Sequence, residues 1–325
     1  MTDLTYILAA SHSGSTLLAM LLGSHPAVCS VGELKIAPQS LGDPETYRCS
    51  CGARIKECAF WQDVAAGMAR RGHEFTVATA GTDFRTVPST YARRLLRPMH
   101  RGPALEALRD TALACLPAWR AARPRIQQRN AALIATLAEL TGAQVVVDSS
   151  KIAVRLKYLR RNPELNVRVV RLIRDGRAVA LTYMDPARFA DAQDTTLRAG
   201  GRGGDRRSER LSMEQAASEW RRNNEEAEHL LATLAPGQYL QVRYEDVCTQ
   251  TSDVLARIHH FHGVDPAGSP ANFRAAAHHV IGNGMRFDTT SDVRVDERWR
   301  TALTDDDVRI FDQVAGDMNR RYGYN

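Results

Sequence analysis

Apolar residues open the chain in two rhythms. A continuous run from about Thr5 to Ala9 gives way to small polar residues over Ala10–Ser15, and then Leu17, Leu18, Leu21 and Leu22 recur on one helical face. That order predicts a strand, a tight turn and a helix starting near Thr16. Three later runs have strand form: "VVVD" at Val145–Asp148, "VRVVRLIRDG" at Val167–Gly176 and "YLQVRYEDV" at Tyr239–Val247. The first of these is short, β-branched and closed by polar residues, as a buried parallel strand is. The second feeds a helical pattern from Arg177 onward. Strands separated by helical segments predict an α/β fold, with a P-loop-like central parallel sheet flanked by helices.

Between the first two of these strands, residues 70–142 are dominated by Ala, Leu and Arg at helical spacing, which predicts a helical insertion capping the sheet and the substrate site. Residues 185–212, "DPARFADAQDTTLRAGGRGGDRRSERLS", lose apolar periodicity and gather Gly and Arg. They read as a mobile loop, equally well an active-site lid or a surface connection. No internal repeat or linker divides the sequence, so residues 1–325 are expected to form a single domain.

Charge adds a constraint on the ligand. The net charge of +6 comes from dispersed basic residues with few aromatics among them, a pattern that suits an anionic small ligand better than nucleic acid. The apolar start carries Asp3 and is broken by Ser11, His12 and Ser13, so neither a signal peptide nor a membrane span is expected, and the location expected is cytoplasmic. Of six cysteines, Cys49, Cys51 and Cys58 crowd into "CSCGARIKEC". A metal knuckle, a disulfide-tied loop and plain reduced thiols all satisfy that spacing. A four-ligand zinc site would need another ligand from elsewhere, and no metal is assigned.

The first turn carries the most chemistry. The first amides of a helix lack intrahelical partners and sit at the positive end of the dipole, so Ser13, Gly14, Ser15 and Thr16 are placed to cradle a phosphate or sulfate. An ordinary capped helix start shares the pattern. A nucleoside-triphosphate loop reads GxxxxGK[ST], and this turn has neither the lysine nor the length, which points to an anion held by amides and hydroxyls without an obligatory metal. Arg174 closes a strand at the edge where open α/β sheets bind ligands, and its guanidinium forks a phosphate monoester; a salt bridge to Asp175 or another acid is the competing use. Thr182 follows two helical turns later as a hydroxyl donor. Arg177, in a first helical turn, makes sense there if it faces an anion.

The stretch "SHSGSTLLAMLLGSHPAV" resembles the 5′-phosphosulfate motif of sulfotransferases that use 3′-phosphoadenosine 5′-phosphosulfate (PAPS), and "VRLIRDGRAVALTY" resembles their 3′-phosphate motif. The similarity continues through "RYEDV" and "HHVIGNGMRF" to "DERWR", and is nearest the tyrosylprotein and bacterial small-molecule branch. It implies sulfuryl transfer to a hydroxyl of a small-molecule, glycan or lipid acceptor, with no metal required. Gly32-Glu33 matches the pair that carries the catalytic base in the tyrosylprotein branch, a solvated surface glutamate being the plain alternative.

Thr182 stands where the family has serine, and His12 where it has lysine or arginine. A neutral His12 donates one hydrogen bond, and a protonated one supplies charge near about pH 6 to 7. Lys151, just past the second predicted strand, is placed to compensate, while Ser149 and Ser150 are either sulfate donors or helix caps. The resemblance also implies a loop around Asn283, Gly284 and Arg286 folding over the nucleotide, with Arg286 toward the 3′-phosphate. Tyr244 either packs or stacks on adenine. Residues 70–142 and the Cys49–Cys58 loop are expected at the acceptor pocket, with Trp61, Tyr91 and Trp119 as wall or core. No nucleic-acid partner is expected, and a homodimer is compatible. A nucleotide-dependent kinase of the same architecture would carry the missing lysine and an acidic magnesium ligand. A non-catalytic nucleotide-binding protein is the third reading.

Overall fold

A computed structural model describes the chain except for residues 37–46, 98–101, 190–209, 271, 277 and 289. The expected fold is present. Five parallel strands, β1 (Thr2–Ala9), β2 (Val28–Ser30), β3 (Val145–Lys151), β4 (Leu165–Ile173) and β5 (Tyr239–Arg243), lie in the order β2-β3-β1-β4-β5. The central strand β1 is buried on both faces, with Leu4, Tyr6 and Leu8 in one apolar cluster and Ile7 and Ala9 in another. That two-sided burial is why its sequence shows a continuous apolar run rather than alternation.

On one face of the sheet lie α1 (Ser15–Gly23), which contributes Leu17, Leu18, Leu21 and Leu22, and the later helix Thr251–His262, which contributes Val254, Leu255 and Ile258. The other face is covered by α2 (Ala59–Arg70), α3 (Thr90–Leu95), α4 (Pro103–Cys115), α5 (Pro117–Thr141) and α6 (Ala153–Leu159). Within residues 70–142 the described helices are α3, α4 and α5, most of residues 71–89 being loop, and Trp119, Leu133, Ile134 and Leu137 of α5 seal that face. Beyond β4, α7 (Gly176–Met184) packs with helices Met213–Leu231 and Asp305–Arg321 through Val179, Trp220 and Phe311.

Two elements differ from the sequence reading. β2, only three residues long, is an edge strand too short to show periodicity, and it pairs β3 through Val28–Val145. The fourth apolar run ends as strand at Arg243, and Tyr244–Thr249 is helical; Glu245 and Asp246 in its first turn suit the positive end of the helix dipole. Of the expected loop at 185–212, residues 190–209 lie outside the described residues. Among the described residues, no helix is long and apolar enough to cross a membrane.

Candidate active site

The turn between β1 and α1 is built on two left-handed residues, His12 at φ 63° and Gly14 at φ 84°. Gly14 is fixed twice over, because a Cβ at this position would come within 2.4 Å of the Tyr244 ring. It is also the N-cap of α1 and makes no side-chain cap bond, so the first amides of the helix are left for a ligand. Ser13 is buried, and among the described residues its hydroxyl has no hydrogen-bond partner, which a bound anion would answer.

The turn opens on a cavity of about 1090 Å³ at the carboxyl ends of the central strands, the edge at which such sheets bind ligands. Gly14, Ser15 and Thr16 line it from one side, Glu33, Lys35 and Lys151 from another, and residues 273–298 supply much of the remaining wall. The described lining takes no residue from 70–142, and the described residues of that segment pack on the sheet instead. Trp61 and Trp119 are core residues, and Tyr91 is exposed.

Glu33, Lys35 and Lys151 form one cluster. Lys151, at the end of β3, has φ 70°, uncommon for a residue with a side chain. Its ammonium pairs directly with the Glu33 carboxylate, and the Lys35 ammonium lies 3.5 Å from the other carboxylate oxygen. Burial alone would raise the Glu33 pKa; the two ammonium groups overcome it and hold the carboxyl at about 2. Burial lowers the pKa of Lys35.

A buried hub fixes this cluster. Asp148 accepts from the backbone amides of Leu34 at 3.2 Å and Ser150 at 2.9 Å, from the Ser150 hydroxyl, and from Arg155 Nε at 2.9 Å. Arg155 in turn donates to Thr82 O and Asn130 Oδ1, both at 2.7 Å, tying β3 to α5. Ser150 Oγ accepts from the Lys35 amide at 2.8 Å, so Ser150 is part of the hub and neither a sulfate donor nor a cap. Gly32 must be glycine: its φ is 91°, and a Cβ would fall 2.2 Å from Ile281 O. Lys35 and the Asp148–Arg155 pair were missed in the sequence, although an acid closing a buried strand in "VVVD" is itself an unusual placement.

The expected nucleotide residues divide. Arg174 reaches the turn, donating to His12 O at 2.8 Å, with its guanidinium 4.4 Å from the centre of the Tyr244 ring. Its salt-bridge partner is Asp296 at 2.9 Å rather than Asp175. Thr182 lines the cavity and donates to Ala178 O within α7. Arg177 is spent on Asp175 at 2.8 Å and on the Trp299 ring, 4.1 Å away. Arg286 departs from expectation. It is buried off the cavity wall, donates to the carbonyls of Gly282 and Arg48, and lies over the Tyr47 and Phe287 rings. Its guanidinium ties Gly282, at the start of the 282–287 turn, to Arg48 and so shapes the wall from behind. His12 lies on the wall with its ring edge-on to Tyr183 at 4.9 Å.

Comparison with known proteins places this geometry. Among solved structures, the sulfotransferase domain from the curacin biosynthetic pathway is 18% identical and superposes with a TM-score of 0.50, covering 100% of this chain and 99% of that one. The sulfotransferase domain of the Synechococcus PCC 7002 olefin synthase is 18% identical, with a TM-score of 0.46 over 100% of this chain and 95% of that one. A Mycobacterium avium sulfotransferase is 12% identical, with a TM-score of 0.49 over 100% of this chain and 78% of that one. No curated protein matches the sequence. The description "Sulfotransferase family" matches residues 5–267, a span that holds the amide turn, Glu33, Lys151 and Arg174, and the chain therefore belongs to the sulfotransferase family.

Proposed function

We propose that the protein moves a sulfuryl group in line from PAPS to a hydroxyl of a small-molecule, glycan or lipid acceptor, and acts in the cytoplasm. The observation that carries this reading is that the uncapped start of α1 and the Glu33–Lys151–Lys35 cluster open on the same cavity. In this reading Ser13, Gly14, Ser15 and Thr16 hold the 5′-phosphosulfate, and Arg174 with Thr182 serves the 3′-phosphate. A phosphate monoester competes with Asp296 for the Arg174 fork. Glu33 accepts the proton of the acceptor hydroxyl, whose oxygen forms the new O–S bond as the S–O bond to the 5′-phosphate breaks, leaving adenosine 3′,5′-bisphosphate.

Lys151 stabilises the sulfate oxygens and the departing phosphate oxygen, with His12 donating beside it. A carboxyl held at about 2 is a weak base. As Lys151 turns to the transferring group, Glu33 loses the cation that lowers it most and gains proton affinity. The charge on the donor is met by Lys151, Lys35 and Arg174, so no step requires a metal. A kinase reading needs a carboxylate available for magnesium. Asp148, the acid at the end of β3, spends both oxygens on Arg155, Ser150 and the Leu34 amide.

A thermal-shift titration with adenosine 3′,5′-bisphosphate, ADP and ATP, with and without magnesium, tests the donor assignment. Bisphosphate at about 100 times its Kd is expected to add roughly 2.7 kcal/mol, independent of magnesium. Preference for ATP with magnesium would overturn the reading. His12→Asn tests the leaving-group donor, since asparagine tolerates the left-handed backbone at this position. It is expected to lower kcat by about tenfold to a hundredfold, the worth of one hydrogen bond to a charged group, and to leave bisphosphate Kd nearly unchanged. Equal losses in both would remove His12 from the chemistry.

A further inference from the structure

The sequence lacked a fourth ligand for the Cys49, Cys51 and Cys58 cluster, and the fold supplies one. His279 comes from a segment 221 residues beyond Cys58 and points its Nδ1 at the sulfurs, 3.4 Å from Cys58 Sγ and 3.7 Å from Cys49 Sγ. Cys51 Sγ lies 3.7 Å from Cys58 Sγ, and all four ligand atoms fall within 4.8 Å of one another. Zinc bonds of about 2.3 Å to sulfur and about 2.0 Å to nitrogen make a tetrahedron whose S–S edges are about 3.8 Å and whose S–N edges are about 3.5 Å. The three separations of 3.4, 3.7 and 3.7 Å match those edges. A disulfide would bring two sulfurs to about 2.05 Å, and none of the six cysteines is so paired.

The surroundings hold the ligands in place. Phe60 stacks on the His279 ring at 4.4 Å with the planes 3° apart, which fixes the imidazole. Ser50, between two of the cysteines, donates to His278 O at 2.7 Å and accepts from the Val280 amide at 2.8 Å, so His279 is clamped from both sides along the chain. The Cys49 amide donates to Ala53 O at 3.0 Å, and the Gly52 amide to Cys49 O at 2.9 Å, closing the knuckle turn. Cys49 and Cys58 are buried, Cys51 is exposed and His279 is half-buried.

We propose that Cys49, Cys51, Cys58 and His279 form a structural zinc site that staples the Cys49–Cys58 loop to the segment forming the cavity wall. Four protein ligands close the tetrahedron, leaving no position for water or substrate, so the metal serves architecture and takes no part in sulfuryl transfer. The staple lies next to the site's own scaffolding. Tyr47, two residues before Cys49, lines the cavity and accepts from the Gly282 amide at 2.8 Å, while Ile281, Gly282 and Asn283, beginning two residues after His279, line the same cavity. A three-cysteine knuckle in a protein whose proposed chemistry uses no metal thus acquires a purpose: it sets where the 281–285 wall stands against Glu33 and the turn.

The test is the zinc content of the full chain, purified under reducing conditions without added metal, by elemental analysis. About one zinc per chain is expected, falling to background in Cys51→Ser and His279→Ala and unchanged in Cys115→Ser, an exposed cysteine outside the cluster. Should the variants not fold, the wild-type chain stripped of metal and titrated with Co2+ is expected to show the absorption of a tetrahedral cobalt–thiolate centre, saturating at one equivalent. A wild-type chain that neither contains zinc nor takes up cobalt, zinc undiminished in both variants, or a Cys51–Cys58 disulfide found by mass analysis would each overturn the proposal.

Discussion

Glu33→Gln is expected to lower kcat by about 10² to 10⁴, the range lost with a general base, while adenosine 3′,5′-bisphosphate binds as tightly as before or more so. Glutamine keeps the size and one acceptor oxygen but cannot take a proton. The variant also frees the Lys151 ammonium from its carboxylate partner, which favours an anion in the cavity. Labelled sulfuryl transfer from PAPS to an acceptor found by screening phenols and alcohols reads the first quantity, and calorimetry the second. Activity retained in the variant would reduce Glu33 to a counter-ion for Lys151 and favour a non-catalytic or differently catalysed reading. Stability gives an independent check. The folded Glu33 carboxyl sits at about 2, below the value of about 4.3 for a free glutamate, so its contribution is complete above about pH 4.5 and is lost as pH falls toward 2. The difference in unfolding free energy between wild type and Glu33→Gln should shrink over that window and be constant above it.

What could be read from the sequence follows from how local each signal is. The turn at Ser13–Thr16 and Arg174 at a strand end are written in contiguous residues whose chemistry is decided by their neighbours in the chain, and Gly14, Ser15, Thr16 and Arg174 line one cavity, with Ser13 buried behind it. Arg286 shows the limit. The family resemblance implied a phosphate ligand, but whether a guanidinium faces a cavity or backbone carbonyls depends on the packing of Tyr47 and Phe287 around it. Asp296 as the partner of Arg174 and His279 as the partner of the cysteines are contacts over 122 and more than 200 residues, and no periodicity encodes them. β2 was missed for a different reason: three residues are fewer than two repeats of the strand period.

The partnership of Lys151 with Glu33 makes the second large prediction, because removing the lysine acts on both the transition state and the base. Lys151→Met is expected to lower kcat by about 10² to 10³, the loss typical of one preorganised donor. A merely structural lysine could also reduce activity by loosening the end of β3, where φ is 70°, so the rate alone does not distinguish the roles. The pH profile does. In the wild type Lys151 is the largest influence lowering Glu33, and kcat/KM, which reports the free enzyme, should show no acid limb from Glu33 until about pH 2 to 3. Without Lys151, burial raises the carboxyl again and Lys35 alone opposes it, so an acid limb should appear at higher pH and vanish in the double variant with Glu33→Gln. A fall in kcat with an unmoved profile would assign Lys151 to the sulfuryl group and deny it control of the base. A lower Tm with unchanged kcat would return it to the scaffold of β3.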